Sequence, residues 1–261
     1  MSLEGRLSVE DRMSLEGSMS LEGRVAVVTG SSSGIGAAVA RSLASAGARV
    51  VINSARSVAD GTAVADSLPR ARYIQADVAD DAACEALVAE TLAEFGRLDV
   101  LVNNAGTTEV IPHEDLAAAT DEIWQRILTV NVLGTWHMTR ASVPALRATG
   151  AGVVINVSSV AGLRPTGSSI PYAVSKAGIN HLTLLLAKAL GPQIRVNAVA
   201  PGLIDTPWTA DWDAARERVR AQAPLGRTGV PEDVAEAVLG LVLARFVTGQ
   251  VLAVDGGLAL A

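Results

Sequence analysis

The 261-residue chain has little of what several protein classes require. Its single cysteine, Cys84, excludes an intramolecular disulfide and a cluster of several thiolates around a metal. A net charge of −6 argues against a nucleic-acid partner, which needs a basic face. No apolar run reaches the roughly 18 residues of a membrane span, and the N-terminus lacks the basic-then-apolar layout of a secretory signal. The sequence therefore predicts a cytoplasmic protein without a metal site, a nucleic-acid partner or a membrane partner.

Aromatic residues are also scarce, at 3% of the chain, so Ala, Val, Leu and Ile must build the core. Such a core suits parallel strands that are covered by helices on both faces. From Arg24 onward, short β-branched runs alternate with longer Ala- and Leu-rich segments, as in an array of βαβ units. The predicted strands are 24–29, 48–53, 71–76, 98–103, 152–158, 194–199 and 250–255. The predicted helices are near 34–46, 57–68, 81–95, 115–148, 172–190 and 231–243.

The N-terminus repeats the letters "MSLEG" at 1–5, 13–17 and 19–23. These repeats are too short to be structural, because a folding repeat needs about 20–50 residues. We interpret residues 1–18 as a disordered or vector-derived extension, with Met19 as the start of the functional chain. No linker or charge block interrupts 19–261, which predicts a single domain.

Three glycines, Gly30, Gly34 and Gly36, follow the first predicted strand in "TGSSSGIG". Glycines at this point allow a tight turn and a close backbone approach, while the next helix offers its free N–H groups to a pyrophosphate. A plain glycine-rich turn is the alternative. The position of the motif at the opening of a βαβ unit favours a dinucleotide site.

Tyr172 and Lys176 lie four residues apart in "PYAVSK" (171–176). On a helix, residues at this spacing share one face, so the phenol and the ammonium can meet. The same spacing also arises by chance in amphipathic surface pairs, so the pair alone decides nothing.

The glycine spacing T-G-x-x-x-G-x-G resembles that of the short-chain dehydrogenase/reductase family. "NNAG" at 103–106, Asn131, Ser159, the Y-x-x-x-K pair and "PG" at 201–202 match that family in order and spacing, over residues 21–258. The 3-oxoacyl carrier-protein reductase and glucose dehydrogenase branches are the most similar. This resemblance implies a Rossmann-like, doubly wound α/β fold, a single domain with seven parallel strands and helices on both faces.

The resemblance also implies catalytic roles. Tyr172 is the general acid or base, and Lys176 lowers the pKa of its phenol and binds the nicotinamide ribose. Ser159 holds the substrate oxygen, and Asn131 anchors a water that links Lys176 to solvent. Ser159 has a structural alternative in satisfying backbone groups at a strand end, and Asn131 in being a buried amide between helix and sheet.

The predicted cofactor residues follow the strands at one edge of the sheet. They are Gly30, Ser32, Ser33, Gly34, Ile35, Gly36, Ser54, Arg56, Asp77, Val78, Asn104, Ala105, Gly106, Tyr172, Lys176, Pro201, Gly202, Ile204 and Thr206. The second strand ends in "VVINSARS", which lacks the carboxylate that selects NAD. Arg56 can instead bind a 2′-phosphate. The sequence therefore predicts NADP(H), with NAD(H) as the alternative.

Together these features predict an oxidoreductase that transfers a hydride between NADP(H) or NAD(H) and a small-molecule ketone or secondary alcohol. A non-catalytic nucleotide-sensing regulator on the same fold is the alternative. The substrate depends on the loop after Ser159 and on a lid at 203–219, where Trp208 and Trp212 either cap an apolar substrate or pack the lid. The segment 176–190 is apolar nearly all round, which predicts self-association. The family resemblance implies a homotetramer.

Overall fold

Seven parallel strands form one sheet in the order β3-β2-β1-β4-β5-β6-β7 in the computed structural model, which describes residues 20–260. The strands are β1 Val25–Val28, β2 Arg49–Ser54, β3 Ala71–Gln75, β4 Val100–Asn103, β5 Gly152–Val157, β6 Ile194–Pro201 and β7 Val251–Val254. The predicted number of strands and their parallel direction are confirmed. The proposed extension at residues 1–18 lies outside the described residues.

Helices connect the strands and cover both faces of the sheet. They are α1 Gly34–Ser45, α2 Val58–Asp66, α3 Asp81–Phe95, α4 Asp121–Leu128, α5 Gly134–Ala148, α6 Ile170–Leu190, α7 Asp213–Gln222 and α8 Pro231–Leu243. One core cluster packs α1 and α8 on the sheet, with Leu43 and Val238 fully buried. A second cluster packs α3, α5 and α6 on the sheet, with Met138 among its buried residues. Burial of the strands on both faces explains their continuous Val- and Ile-rich runs.

The predicted helix 115–148 is wrong as a single element. Residues 115–120 form turns, in which the Asp115 carboxylate accepts the Ala118 N–H at 3.1 Å. Such a local bond competes with helix formation and overrides the propensity of the alanines that follow. Further along, a π-helical turn at Thr129–Leu133 separates α4 from α5. Asn131 therefore lies in this irregular turn, a place where functional residues often occur.

Two further boundaries differ from the prediction. Helix α7 lies within the predicted lid and was missed, because Val219 is its one buried residue and its sequence therefore lacks an apolar period. Helix α6 begins at Ile170 instead of residue 172, since Ser169 caps it and Pro171 lies in its first turn. Along α6, Leu184 and Leu185 are about half exposed, so this chain by itself does not bury the helix on every side.

The sheet order places a crevice beside β1. Strand β1 has β2 on one side and β4 on the other, so the chain connections leave β1 in opposite directions. In doubly wound sheets, ligands bind outside the carboxyl ends of the strands at this switch point. The glycine turn after β1 and the segment after β4 meet there.

Candidate active site

The turn between β1 and α1 lies against the segment that follows β4. Gly30 has a φ of +61°, and a Cβ atom there would lie 2.8 Å from Cα of Ala105. A Cβ atom on Gly36 would lie 2.4 Å from the Gly30 oxygen. The Asn104 amide donates to the backbone oxygens of Thr29 and Gly30 at 2.9 and 2.8 Å. Only glycine fits these two positions, and Asn104 fixes the turn from the neighbouring strand.

A cavity of about 1500 Å³ extends from this turn to the start of α6. Most of the predicted site residues line it, and the predicted cofactor and catalytic residues share this one space. Those in its wall are Gly30, Ser33, Gly34, Ile35, Gly36, Asn104, Ala105, Gly106, Ser159, Tyr172, Lys176, Pro201, Gly202, Ile204 and Thr206.

Other predicted residues lie at the same sheet edge but outside the walls that the described residues form. They are Ser32, Ser54, Arg56, Asp77, Val78 and Asn131. Ser54 is buried at the end of β2, where its hydroxyl bonds the Tyr73 hydroxyl at 2.9 Å. The side chain of Arg56 is exposed two residues further on.

The predicted catalytic pair lies on the first turns of α6. The Lys176 Nζ atom is 5.6 Å from the centroid of the Tyr172 ring and donates to the Val157 backbone oxygen at 2.9 Å. The Ser169 side chain accepts the Tyr172 N–H and so starts the helix at the required place. The two residues therefore share one helix face, as their spacing predicts.

Burial dominates the acid–base properties of this pair. It lowers the pKa of Lys176 to about 8, because the ammonium loses its hydration. Burial also raises the pKa of Tyr172, while a hydrogen bond with the Ser159 side chain acts in the opposite direction. In the chain without a cofactor these two causes leave the Tyr172 pKa above its usual value, and the lowering by Lys176 stays a prediction for the enzyme with its cofactor bound. Tyr172 is consequently a protonated phenol at neutral pH.

Ser159 has the capping role that the sequence offered as its structural alternative. Its hydroxyl accepts the Ala161 N–H at 3.1 Å and so caps the 3₁₀ turn Val160–Gly162. The same hydroxyl lies close enough to the Tyr172 phenol to lower its pKa. The strand-end cap therefore orients a hydroxyl beside the phenol.

Asn131 connects the loop after β4 to α6. Its Oδ1 atom accepts the Thr107 N–H at 2.7 Å, and its Nδ2 atom donates to the Thr107 oxygen at 3.0 Å and to Ser175 Oγ at 2.9 Å. Ser175 in turn donates to the Tyr172 backbone oxygen at 2.7 Å. Sequence reasoning missed Ser175, although it directly precedes Lys176 in the motif. A Cβ atom on Gly106 would lie 3.4 Å from Asn131 Oδ1 and 3.7 Å from Lys176 Nζ, so these two atoms flank one glycine.

The outer part of the cavity is enclosed by loops. Trp208 and Trp212 of the lid both line it, and so does His113, for which the sequence analysis assigned no role. The loop at 107–114 is joined to the loop at 164–168 by a 2.6 Å hydrogen bond between the hydroxyls of Thr108 and Ser168. The substrate side of the site thus has an apolar lining held in place by polar loop contacts.

These features fit a dinucleotide. The glycine turn leaves no room for side chains, α1 begins at the cavity, and the cavity continues without a break to Tyr172 and Lys176. A Rossmann-type dinucleotide crevice that opens onto a Ser-Tyr-Lys set defines the class of nicotinamide-dependent oxidoreductases.

Comparisons with known proteins agree with this class. A family model described as "Enoyl-(Acyl carrier protein) reductase" matches residues 30–259. The chain is 61% identical over 236 residues to "Granaticin polyketide synthase putative ketoacyl reductase 2" of Streptomyces violaceoruber, covering 89% of this chain and 95% of the relative. It is 39% identical over 242 residues to the 3-oxoacyl-[acyl-carrier-protein] reductase of Thermotoga maritima, covering 90% and 97% of the two chains. A crystal structure from Burkholderia xenovorans, assigned to the short-chain dehydrogenases/reductases, covers 91% of this chain and 98% of its own with a TM-score of 0.85 and 41% identity.

The chain belongs to the short-chain dehydrogenase/reductase family and is an NAD(P)-dependent oxidoreductase. The resemblance seen in the sequence is confirmed. Within residues 20–260, none of the helices is long and apolar enough to cross a membrane.

Proposed function

We propose that the protein reduces a ketone to a secondary alcohol with NADPH, and that Tyr172 donates the proton. The observation that carries the proposal is the partly buried Tyr172 phenol, which lines the same cavity as Ser159, Lys176 and the glycine turn. A phenol whose pKa is raised is a donor at neutral pH, which suits reduction better than oxidation. A regulator that only senses the nucleotide would need none of the Ser159, Tyr172 and Lys176 side chains, so this alternative is not favoured.

In this mechanism, the Ser159 hydroxyl and the Tyr172 phenol both bond the carbonyl oxygen and orient its carbon. The reduced nicotinamide, when bound, supplies a hydride to that carbon. Tyr172 then gives its proton to the developing alkoxide, and the Lys176 ammonium stabilises the charge that remains on the phenol. Lys176 would also bind the nicotinamide ribose, and Asn131, whose Oδ1 atom flanks Gly106 as Lys176 Nζ does, would support a water path for reprotonation.

The chain would hold the cofactor along the carboxyl edge of the sheet. The turn at 30–36 would bind the pyrophosphate at the N-terminus of α1. Asn104, Ala105 and Gly106 would pack beside it, Asp77 and Val78 would flank the adenine, and Ile204 and Thr206 would meet the carboxamide after the Pro201-Gly202 turn. Ser54 and Arg56 would lie on the side of the adenosine ribose; because the Ser54 hydroxyl is bonded to Tyr73, the missing carboxylate and the exposure of Arg56 are what support a 2′-phosphate.

The substrate would carry its ketone group on a bulky and largely apolar body. The cavity of about 1500 Å³ exceeds what a dinucleotide alone needs, and Trp208, Trp212 and Val219 contribute apolar surface to it. The ketoacyl and 3-oxoacyl substrates in the names of the relatives have this chemistry. A cytoplasmic location agrees with such a substrate and with a single reduced cysteine.

A ketone panel tests the proposal. It contains a 3-oxoacyl thioester, a bicyclic ketone and acetone, each scored by the absorbance of NADPH and, separately, of NADH. We expect reduction of the first two, faster with NADPH, and little reduction of acetone. Turnover of none of these ketones with either cofactor would contradict the proposed reaction, and faster turnover with NADH would contradict the cofactor choice.

We further propose a homotetramer. Leu184 and Leu185 on α6 and Trp136 on α5 form one set of exposed apolar side chains, and Leu252 on β7 and Phe246 form another. Closed symmetry with two-fold axes could cover both sets. Light scattering at micromolar concentration tests this, and the mass of a single chain would contradict it.

A further inference from the structure

The last described residues form part of the wall of the substrate cavity. Leu258 and Ala259 line the same space as Tyr172. They lie in a 3₁₀ turn, Leu258–Leu260, that follows β7. We call residues 255–260 the C-terminal segment.

Asp255 holds the beginning of this segment. Its Oδ1 atom accepts the Gly257 N–H at 2.9 Å, and its Oδ2 atom accepts the Ala259 N–H at 2.7 Å. A Cβ atom on Gly202 would lie 2.9 Å from the Asp255 Cβ, so Asp255 also packs closely on the turn after β6. The segment is thus fixed relative to the cofactor side of the cavity.

The segment also touches the chain that follows α7. The Leu225 N–H donates to the Gly256 oxygen at 3.1 Å, and a Cβ atom on Gly257 would lie 2.8 Å from Cγ of Pro224. Pro224 and Leu225 lie two and three residues after the end of α7. The end of α7 and the C-terminal segment, which both line the cavity, are therefore joined by direct contacts.

Arg164 connects the 3₁₀ turn of the C-terminal segment to the loop after Ser159. Its Nη2 atom donates to the Ala259 backbone oxygen, and its side chain also lines the cavity. The loop of Arg164 is bonded through Ser168 to Thr108 in the loop after β4. The contact between Arg164 and Ala259 therefore links the C-terminal segment to two loops on the substrate side of the cavity.

We propose that Arg164 is a specificity-determining positioning residue, which holds the C-terminal segment as a wall against the body of a bulky, apolar ketone. The choice of a bulky ketone as the substrate rests on the proposed function. The contact between Arg164 and Ala259 does not depend on that function. Arg164 acts through the segment, because its guanidinium is engaged by the Ala259 oxygen while Leu258 and Ala259 present apolar groups to the cavity.

The first test measures the contact without any substrate. Hydrogen exchange of the Leu258, Ala259 and Leu260 amides is compared in the wild type, Arg164→Ala and Arg72→Ala; Arg72 is an exposed arginine on β3, outside the cavity wall. We expect exchange about 2- to 10-fold faster in Arg164→Ala, the factor that one lost hydrogen bond produces. Unchanged exchange in Arg164→Ala would overturn the proposal.

The second test separates positioning from direct substrate contact. Arg164→Ala, a chain that ends at Gly257, and the combination of both changes are assayed with a bicyclic ketone and a small ketone. We expect each single change to raise KM for the bicyclic ketone by about 2- to 10-fold and to leave the small ketone unaffected, and we expect the combination to equal the truncation alone. If Arg164→Ala still raises KM in the truncated chain, Arg164 contacts the substrate itself and the proposal is wrong. If the wild type reduces no ketone, the proposed function fails, while the exchange experiment still decides whether Arg164 holds the segment.

Discussion

The Lys176 ammonium lies 5.6 Å from the ring centroid of Tyr172 and bonds the backbone oxygen of Val157, so a buried cation and a buried phenol share one helix face. Burial disfavours the charged form of each group, and it is the first cause of both pKa shifts. Opposed protonation preferences of this kind are typical of functional sites.

Replacing Tyr172 with Phe removes only the hydroxyl. We expect kcat to fall by roughly 10²–10⁴, as for the loss of a general acid, with an unchanged Tm and cofactor Kd. Tyr73→Phe is the matched control, because Tyr73 is the other tyrosine of the chain and lies outside the cavity wall. Its hydroxyl bonds Ser54 on the cofactor side, so its loss should affect cofactor Kd at most and leave kcat unchanged. If Tyr172→Phe retains more than half of the wild-type kcat, another group donates the proton.

Ser175 should position the catalytic turn without contacting the substrate. Ser175→Ala removes the bond to the Tyr172 oxygen and leaves a buried Asn131 N–H without its partner, at a cost of about 1–3 kcal/mol. We expect a lower Tm and a kcat reduced by about 10-fold, with KM for the ketone nearly unchanged and with partial recovery in Ser175→Thr.

Ser142→Ala is the control for Ser175→Ala. Ser142 is also fully buried, but its hydroxyl has no partner among the described residues, so its loss should leave Tm and kcat nearly unchanged. Equal effects of the two alanine variants would show that Ser175 has only a packing role.

The buried Lys176 ammonium should lower the free energy of unfolding of the cofactor-free protein at neutral pH. Its pKa is about 8 in the folded chain against an ordinary lysine value of 10.5, so below pH 8 both the folded and the unfolded state are protonated and the folded state carries the full cost of the buried charge. As the pH rises from 8 to 10.5, Lys176 loses its proton in the folded state before it does so in the unfolded state. The cost of burying its charge therefore disappears over this range.

Lys176→Met lacks this charge, so we expect it to be inactive but more stable than the wild type at pH 7. The gain should be about 1–2 kcal/mol after the lost bond to Val157 is subtracted. Denaturant unfolding at pH 7, 8 and 10 measures it. A gain that does not shrink between pH 8 and 10, or a loss of stability at pH 7, would contradict the burial argument.

Arg56 should set the cofactor preference. Arg56→Ala removes the charged fork that would bind a 2′-phosphate, so the ratio of kcat/KM for NADPH over NADH should fall by about 10-fold, mainly through the KM for NADPH. Arg41→Ala, at an exposed position on α1, is the control and should keep the wild-type ratio. An unchanged ratio in Arg56→Ala would assign the preference to other residues.

Most of the fold could be predicted from the sequence, because its signals are local. Strands buried on both faces give uninterrupted β-branched runs, and α1 follows β1 through glycines whose spacing is visible in the letters. The pair of Tyr172 and Lys176 was equally accessible, since a four-residue separation on a helix fixes the shared face. The predicted ends of helices were less accurate where a hydrogen bond from a polar side chain sets the start of the helix. Asp115 does this before α4, and Ser169 does it before α6.

The sequence by itself determined the order of strands and helices and the glycine turn, because periodicity and spacing along the chain encode them, and it indicated the Ser-Tyr-Lys set through the family resemblance. Tertiary structure alone decided the rest. It placed Ser175 between Asn131 and Tyr172, and it brought Arg164 to Ala259, 95 residues further along the chain. It also surrounded the Tyr172 phenol with protein and so raised its pKa, because desolvation depends on what surrounds the phenol in space and leaves no mark on the neighbouring sequence.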